Sequence, residues 1–204
     1  FMIKKLIIKI IILLITGFAA KADYKVVLFG DSLMAGYGLD KKYHLSRVLE
    51  KNLNKNGLKV KVINASVSGD TSAGGLNRID WTISEKDIDI ILICLGANDM
   101  LRGISPSETE KNLEEIVKKI LNKKIRIIIA GMIAPYSHGK KYKNEFDQIF
   151  KKLSENYNLN LIPFLLDGVA LKPELNLDDG IHPNEKGVKI ISKNIEKTII
   201  DILN

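Results

Sequence analysis

Only one cysteine stands among the 204 residues, so no disulfide can form within the chain. That residue, Cys94, lies inside the apolar run IDIILICLG and reads as a small core side chain, not a nucleophile. No Pro/Ser-rich linker, internal repeat or low-complexity run is present, which leaves no obvious boundary for a second globular domain. Charge of one sign is also scarce. The formal net charge is +7, but Lys4, Lys5, Lys9 and Lys21 supply four of it, with no acid among the first 22 residues. The remaining +3 is too small and too dispersed for a nucleic-acid footprint. What is present is an ordinary globular composition, 46% hydrophobic and 27% charged, in a chain long enough to bury a core.

The first stretch, FMIKKLIIKIIILLITGFAAKAD, differs from the rest. A lysine start, an apolar middle and an Ala20-Lys21-Ala22 close are the parts of a secretory signal peptide. Cleavage is expected after Ala22, giving residues 1–22 as signal and 23–204 as one domain. The apolar run is short for a membrane span and Lys9 interrupts it, so no stable membrane insertion is expected after cleavage. Retention as an uncleaved anchor is the other reading. No cysteine near the junction offers a site for lipid attachment.

Beyond the signal, apolar runs alternate with helical periods. KVVLF, KVKVINA, DIDIILICL, IRIIIAGMI and LNLIPF read as five strands. Between them Leu45, Val48, Leu49 and Leu53 recur at helical spacing before Gly57, and so do Leu113, Ile116, Val117, Ile120 and Leu121. Ser105-Pro106-Ser107-Glu108 supplies a cap, a first-turn proline and the acid of a capping box. Phe146, Ile149, Phe150 and Leu153 mark a further helix, and Val188, Ile191, Ile195 and Ile199 a last one. Strands apolar on both faces and separated by helices predict a three-layer α/β/α domain with a five-stranded parallel sheet, flavodoxin-like in type. Such sheets place ligands beyond the carboxyl ends of their strands.

Those ends carry chemistry. Strand one runs into Gly30-Asp31-Ser32, strand two into NASVSGDTSAGG with Gly69, and strand three into LGAND with Asn98. Downstream, DDGIHPNEKG holds Asp179 and His182 three apart. A serine hydroxyl needs a base to take its proton, and His182 can be that base. Asp179, about one turn earlier, can hold the imidazole tautomer and stabilise the imidazolium. The backbone N–H groups of Ser32 and Gly69 and the amide of Asn98 are candidate donors to an oxyanion.

Each residue alone has a plainer reading. Ser32 or His182 can cap a helix, Gly69 and Asn98 can serve turns, and Asp99 can cap the following helix. Asp31 and Asp178 read as structural, and His44 and His138 as surface or loop residues. The stretch GDSLMAGYG lacks the G-K-[ST] end of a phosphate-binding P-loop. Leu101 and Ile104 after Asn98, with Ile133, Ala134 and Pro135 after strand four, are candidates to line an apolar acyl groove, ordinary loop packing being the other possibility.

Taken in order, GDSL, GDTS after NAS, GAND and DGIHP resemble the four blocks of the SGNH hydrolases, also called GDSL esterases. The resemblance spans essentially all of residues 23–204. It implies Ser32 as nucleophile, Ser32, Gly69 and Asn98 as the oxyanion hole, and Asp179 with His182 completing the triad. Longer stretches, among them GANDMLRGISPSETEKNL and LKPELNLDDGIHPNEKG, are similar to the bacterial periplasmic arylesterase, thioesterase and lysophospholipase group. That likeness implies hydrolysis of a small acyl ester or thioester, no metal, no organic cofactor and a periplasmic or secreted location. An O-acetylesterase acting on cell-wall or polysaccharide acetyl groups is the alternative. One departure is local: YHLSRVLEKNL lacks the Trp-Pro that many relatives carry before the first helix, which bears on packing there.

Overall fold

The computed structural model describes residues 24–203. The expected signal segment, residues 1–22, and the start of the domain at Asp23 lie outside the described residues.

Five strands form one parallel sheet in the order β2-β1-β3-β4-β5. They are β1 (Tyr24–Gly30), β2 (Val60–Asn64), β3 (Ile90–Cys94), β4 (Arg126–Ala130) and β5 (Asn160–Ile162). Val26 pairs with Val62 on one side and with Ile90 on the other, so β1 is an interior strand, and its run from Val26 to Gly30 is buried. Every residue of β3 is buried, which explains why its sequence is apolar without alternation.

Helices cover both faces. On one, α2 (Leu45–Lys55) packs on α7 (Glu185–Leu203). On the other, α5 (Pro106–Asn122) lies between α3 (Ser72–Thr82) and α6 (Gly139–Tyr157). Two short helices, α1 (Ser32–Ala35) and α4 (Ala97–Leu101), follow β1 and β3 directly. Ser105 Oγ accepts from the Glu108 N–H at 3.2 Å and Pro106 takes the first turn of α5, so local chemistry sets that boundary.

The outer edge of the sheet is closed by α2. Asn54 bonds both the N–H and the carbonyl of Val60, and Glu50 accepts from the Val62 N–H at 2.8 Å. His44 fills the space before α2. Its ring lies 2.4 Å from where a Cβ on Gly36 would be, and its Nε2 is 3.1 Å from the Leu39 carbonyl. The residue thus sits in the loop before α2, as the sequence suggests, but half-buried and packed rather than on the surface.

Candidate active site

Strand β1 ends at Gly30, where a Cβ would approach the Cys94 carbonyl oxygen to 2.7 Å and Met34 Sδ to 2.9 Å. This tight passage lets the chain turn at once into α1. Asp31, fully buried, caps that helix by accepting from the Leu33 N–H at 3.0 Å. The cap is thus Asp31, and the Ser32 hydroxyl is left for another partner. Ser32 Oγ lies 2.9 Å from His182 Nε2, and His182 Nδ1 lies 2.7 Å from Asp179 Oδ2.

The loop before α7 holds the imidazole in place. Asp179 Oδ1 accepts from the backbone N–H groups of Ile181 and His182, each at 2.9 Å. These bonds, with the imidazole itself, draw the Asp179 carboxyl down to about 2 from 3.8. An ionised carboxylate only accepts, so the proton on His182 is at Nδ1 and Nε2 is free to accept from the serine. The Tyr37 ring lies against the imidazole, its centroid 4.3 Å away. Helix α7 begins three residues later, with Asn184 Oδ1 accepting from Lys186 and Gly187 N–H. His182 is therefore not a cap, and Asp179 and His182 share a hydrogen-bonded loop ahead of the helix.

Gly69 has φ +80, a backbone setting costly for other residues, and its carbonyl accepts from Arg102 Nη2 at 2.7 Å. Among the described residues the N–H groups of Ser32 and Gly69 have no acceptor. Asn98, the second residue of α4, donates from Nδ2 to Asp31 Oδ2 at 3.3 Å. One buried carboxylate thus caps the helix carrying Ser32 and orients the Asn98 amide. Its neighbour Asp99 does not cap the next helix. Fully buried, it accepts from the Ser72 N–H, the Ser72 hydroxyl and Thr109 Oγ1, which ties α4 to α3 and α5.

Burial drives the Asp31 carboxyl up from 3.8 to about 6, against the lowering effect of its bonds to Leu33 and Asn98. The folded chain therefore holds this proton more tightly than the unfolded one. That contribution to stability is full below pH 3.8 and is lost as pH rises through about 6. Urea melts of the parent and Asp31→Asn between pH 4 and pH 7 are expected to diverge in favour of the variant as pH rises. A constant difference would contradict this.

Ser32, Gly69, Asn98 and His182 all line one cavity of about 790 Å³. Its remaining wall is largely apolar and includes Leu101, Ile133, Ala134 and Pro135. Ile104, a candidate by sequence, does not line the cavity. Gly103 (φ +67) turns the chain away after α4, and the Ile104 carbonyl accepts from Tyr142 at 2.9 Å. Tyr37, Met132, Phe164, Leu171 and Ile181 line the space as well, the last of them inside the DGIHP block. Leu171 is 94% exposed at φ +63, so an apolar side chain stands in the open on a strained backbone at the cavity mouth.

Cys94 is fully buried and burial pushes its thiol well up, which makes it inert core. Asp178 and His138 are exposed and outside the cavity, His138 against the Tyr142 ring. Among the described residues no group of three His, Cys, Asp or Glu side chains is placed to hold a metal ion. Nor is any described helix long and apolar enough to cross a membrane.

A parallel sheet that gathers a hydroxyl, an imidazole and a carboxylate at its carboxyl edge, beside an apolar cavity, has the layout of an ester-bond hydrolase. Residues 28–190 match the model of the GDSL-like lipase/acylhydrolase family, and the chain belongs to that family of ester-bond hydrolases. It is 35% identical over 182 residues to an arylesterase of Vibrio mimicus, covering 89% of this chain and 91% of that one. To thioesterase 1/protease 1/lysophospholipase L1 of Escherichia coli K12 it is 34% identical over 193 residues, covering 95% and 91%. The crystal structure of the psychrotrophic esterase EstA from Pseudoalteromonas, inhibited by monoethylphosphonate, superposes with a TM-score of 0.84 at 32% identity, covering 89% of this chain and all of that one.

Proposed function

We propose that the protein hydrolyses carboxylic esters and thioesters of apolar acyl groups through an acyl-enzyme on Ser32. The observation that carries this reading is the unbroken series Asp179–His182–Ser32 at the mouth of the apolar cavity. Ser32 Oγ attacks the acyl carbonyl carbon while its proton passes to His182 Nε2. The negative oxygen formed is held by the N–H groups of Ser32 and Gly69 and by the Asn98 amide. Collapse breaks the bond to the alcohol or thiol, which leaves with the proton from His182. Water then attacks the acyl-serine by the same route, releasing the acid and restoring the hydroxyl. Asp179 keeps the Nδ1 proton in place and compensates the imidazolium.

The relatives named arylesterase and thioesterase/lysophospholipase support this substrate class. The cavity favours it over the O-acetylesterase alternative, because an acetyl group would leave most of the apolar wall wet. A panel of p-nitrophenyl esters from acetate to palmitate tests the choice: kcat/KM is expected to rise beyond the shortest chains, and a steep fall would favour a deacetylase. A fluorophosphonate probe is expected to label one site, mapped by mass spectrometry to the peptide carrying Ser32. Labelling elsewhere, or none, would remove the assignment. Asn98→Ala is expected to lower kcat roughly 10²- to 10³-fold with little change in KM, measured on the best ester of the panel.

We also propose that residues 1–22 are an export signal and that the enzyme works in the periplasm or outside the cell, a reading supported by their lysine start and Ala-x-Ala close. The check is the intact mass of the exported protein, expected to begin at Asp23.

A further inference from the structure

Arg78, on α3, lies six residues past the GDTS block. Its guanidinium is nonetheless placed under the carboxyl ends of two strands. Nε donates to Asp70 Oδ2 at 2.6 Å, Nη1 to the Ala65 carbonyl at 2.5 Å and Nη2 to the Gly30 carbonyl at 3.0 Å. The same group lies 3.9 Å from the centroid of the Phe29 ring. A cation at this edge of a parallel sheet would ordinarily serve an anionic ligand, but here each of the three nitrogens is already engaged by the protein.

The partners of Arg78 are informative. Gly30 is two residues before Ser32, Ala65 is the first residue past β2, and Asp70 directly follows Gly69. One rigid fork therefore spans the two segments that carry Ser32 and Gly69, both of which line the cavity. Arg102 holds the Gly69 carbonyl separately, so the Gly69 loop is gripped at two points. The space for the Asp70 carboxylate is itself conditional: a Cβ on Gly74 would come to 1.9 Å from Asp70 Oδ1.

We infer that Arg78 is a positioning residue that sets the distance between the Ser32 and Gly69 N–H donors, and so tunes stabilisation of the oxyanion. This rests on the acyl-enzyme reading above. Lysine cannot replace it, because a single ammonium on a flexible stem does not present a planar fork to three acceptors. An error of about 1 Å in such donors is enough to cost about 100-fold in rate.

The test compares the parent protein with Arg78→Lys and Gly74→Ala. The second variant leaves Arg78 intact, favours the helix locally, and displaces only the Asp70 carboxylate. Three quantities are measured: kcat and KM on a p-nitrophenyl ester, Ki for an alkyl trifluoromethyl ketone, and Ki for the matching fatty acid. The ketone forms a tetrahedral oxyanion with the serine, whereas the acid binds without one. Both variants are expected to lose about 10- to 100-fold in kcat, with the ketone Ki rising by the same factor and KM and the acid Ki unchanged. A fall in melting temperature with kcat per labelled site unchanged, or equal losses for ketone and acid, would reduce Arg78 to a structural tie. Should Arg78→Lys not fold, Gly74→Ala decides alone. Failure of the parent to bind the ketone or the fluorophosphonate would instead overturn the acyl-enzyme reading, a separate outcome.

Discussion

Replacing Ser32 by alanine is expected to lower kcat by about four to six orders of magnitude and to leave the melting temperature almost unchanged. The two halves of this result have different origins in the structure. The hydroxyl makes one described bond, to His182, and that bond lies on the proposed reaction path. Helix α1 does not depend on it, because the capping oxygen belongs to Asp31. A serine acting as the cap would give the reverse pattern: a stability loss of about 1 kcal/mol and full activity. Turnover of p-nitrophenyl butyrate alongside a thermal melt separates them. A variant that keeps turnover within tenfold of the parent would end the nucleophile assignment.

Asp179→Asn carries the next largest effect, about 10⁴-fold in kcat near neutral pH. The amide oxygen can still accept from the Ile181 and His182 N–H groups, so the loop is expected to survive. The amide nitrogen, however, donates toward Nδ1. The imidazole must then carry its proton on Nε2, where it can no longer accept from Ser32. Acid stability supplies an independent readout. With its carboxyl drawn down to about 2 from 3.8, Asp179 contributes stability above pH 3.8 that is lost as pH falls toward 2. The parent is expected to lose this contribution in acid melts and the variant to lack it. Equal acid profiles, or activity within tenfold of the parent, would contradict the assigned role.

Most of the architecture was legible because its causes are local. The runs in β1, β3 and β4 are apolar on both faces, and Ser105-Pro106 names the start of α5 without reference to anything distant. The carboxyl ends of β1 and β3 also declare their polar residues. What stayed hidden depends on contacts made far along the chain. Arg78 meets Gly30 across 48 positions, a contact that no local pattern announces. Tyr37 meets His182 only after β5 and its following loop have returned to the edge of β1. Ile104 misled because nearness to Asn98 in sequence was taken for nearness in space, and a left-handed glycine intervenes. Leu171 was missed for the opposite reason: apolar residues are expected inside, and this one stands outside.

The side chains of Glu50 and Asn54 have a bearing on how the enzyme behaves in company. By occupying the outward amide groups of Val60 and Val62, they deny a neighbouring molecule the rungs on which it would otherwise climb. An open sheet edge invites pairing between copies of one chain, and here that edge is closed by the first long helix to pack against the sheet.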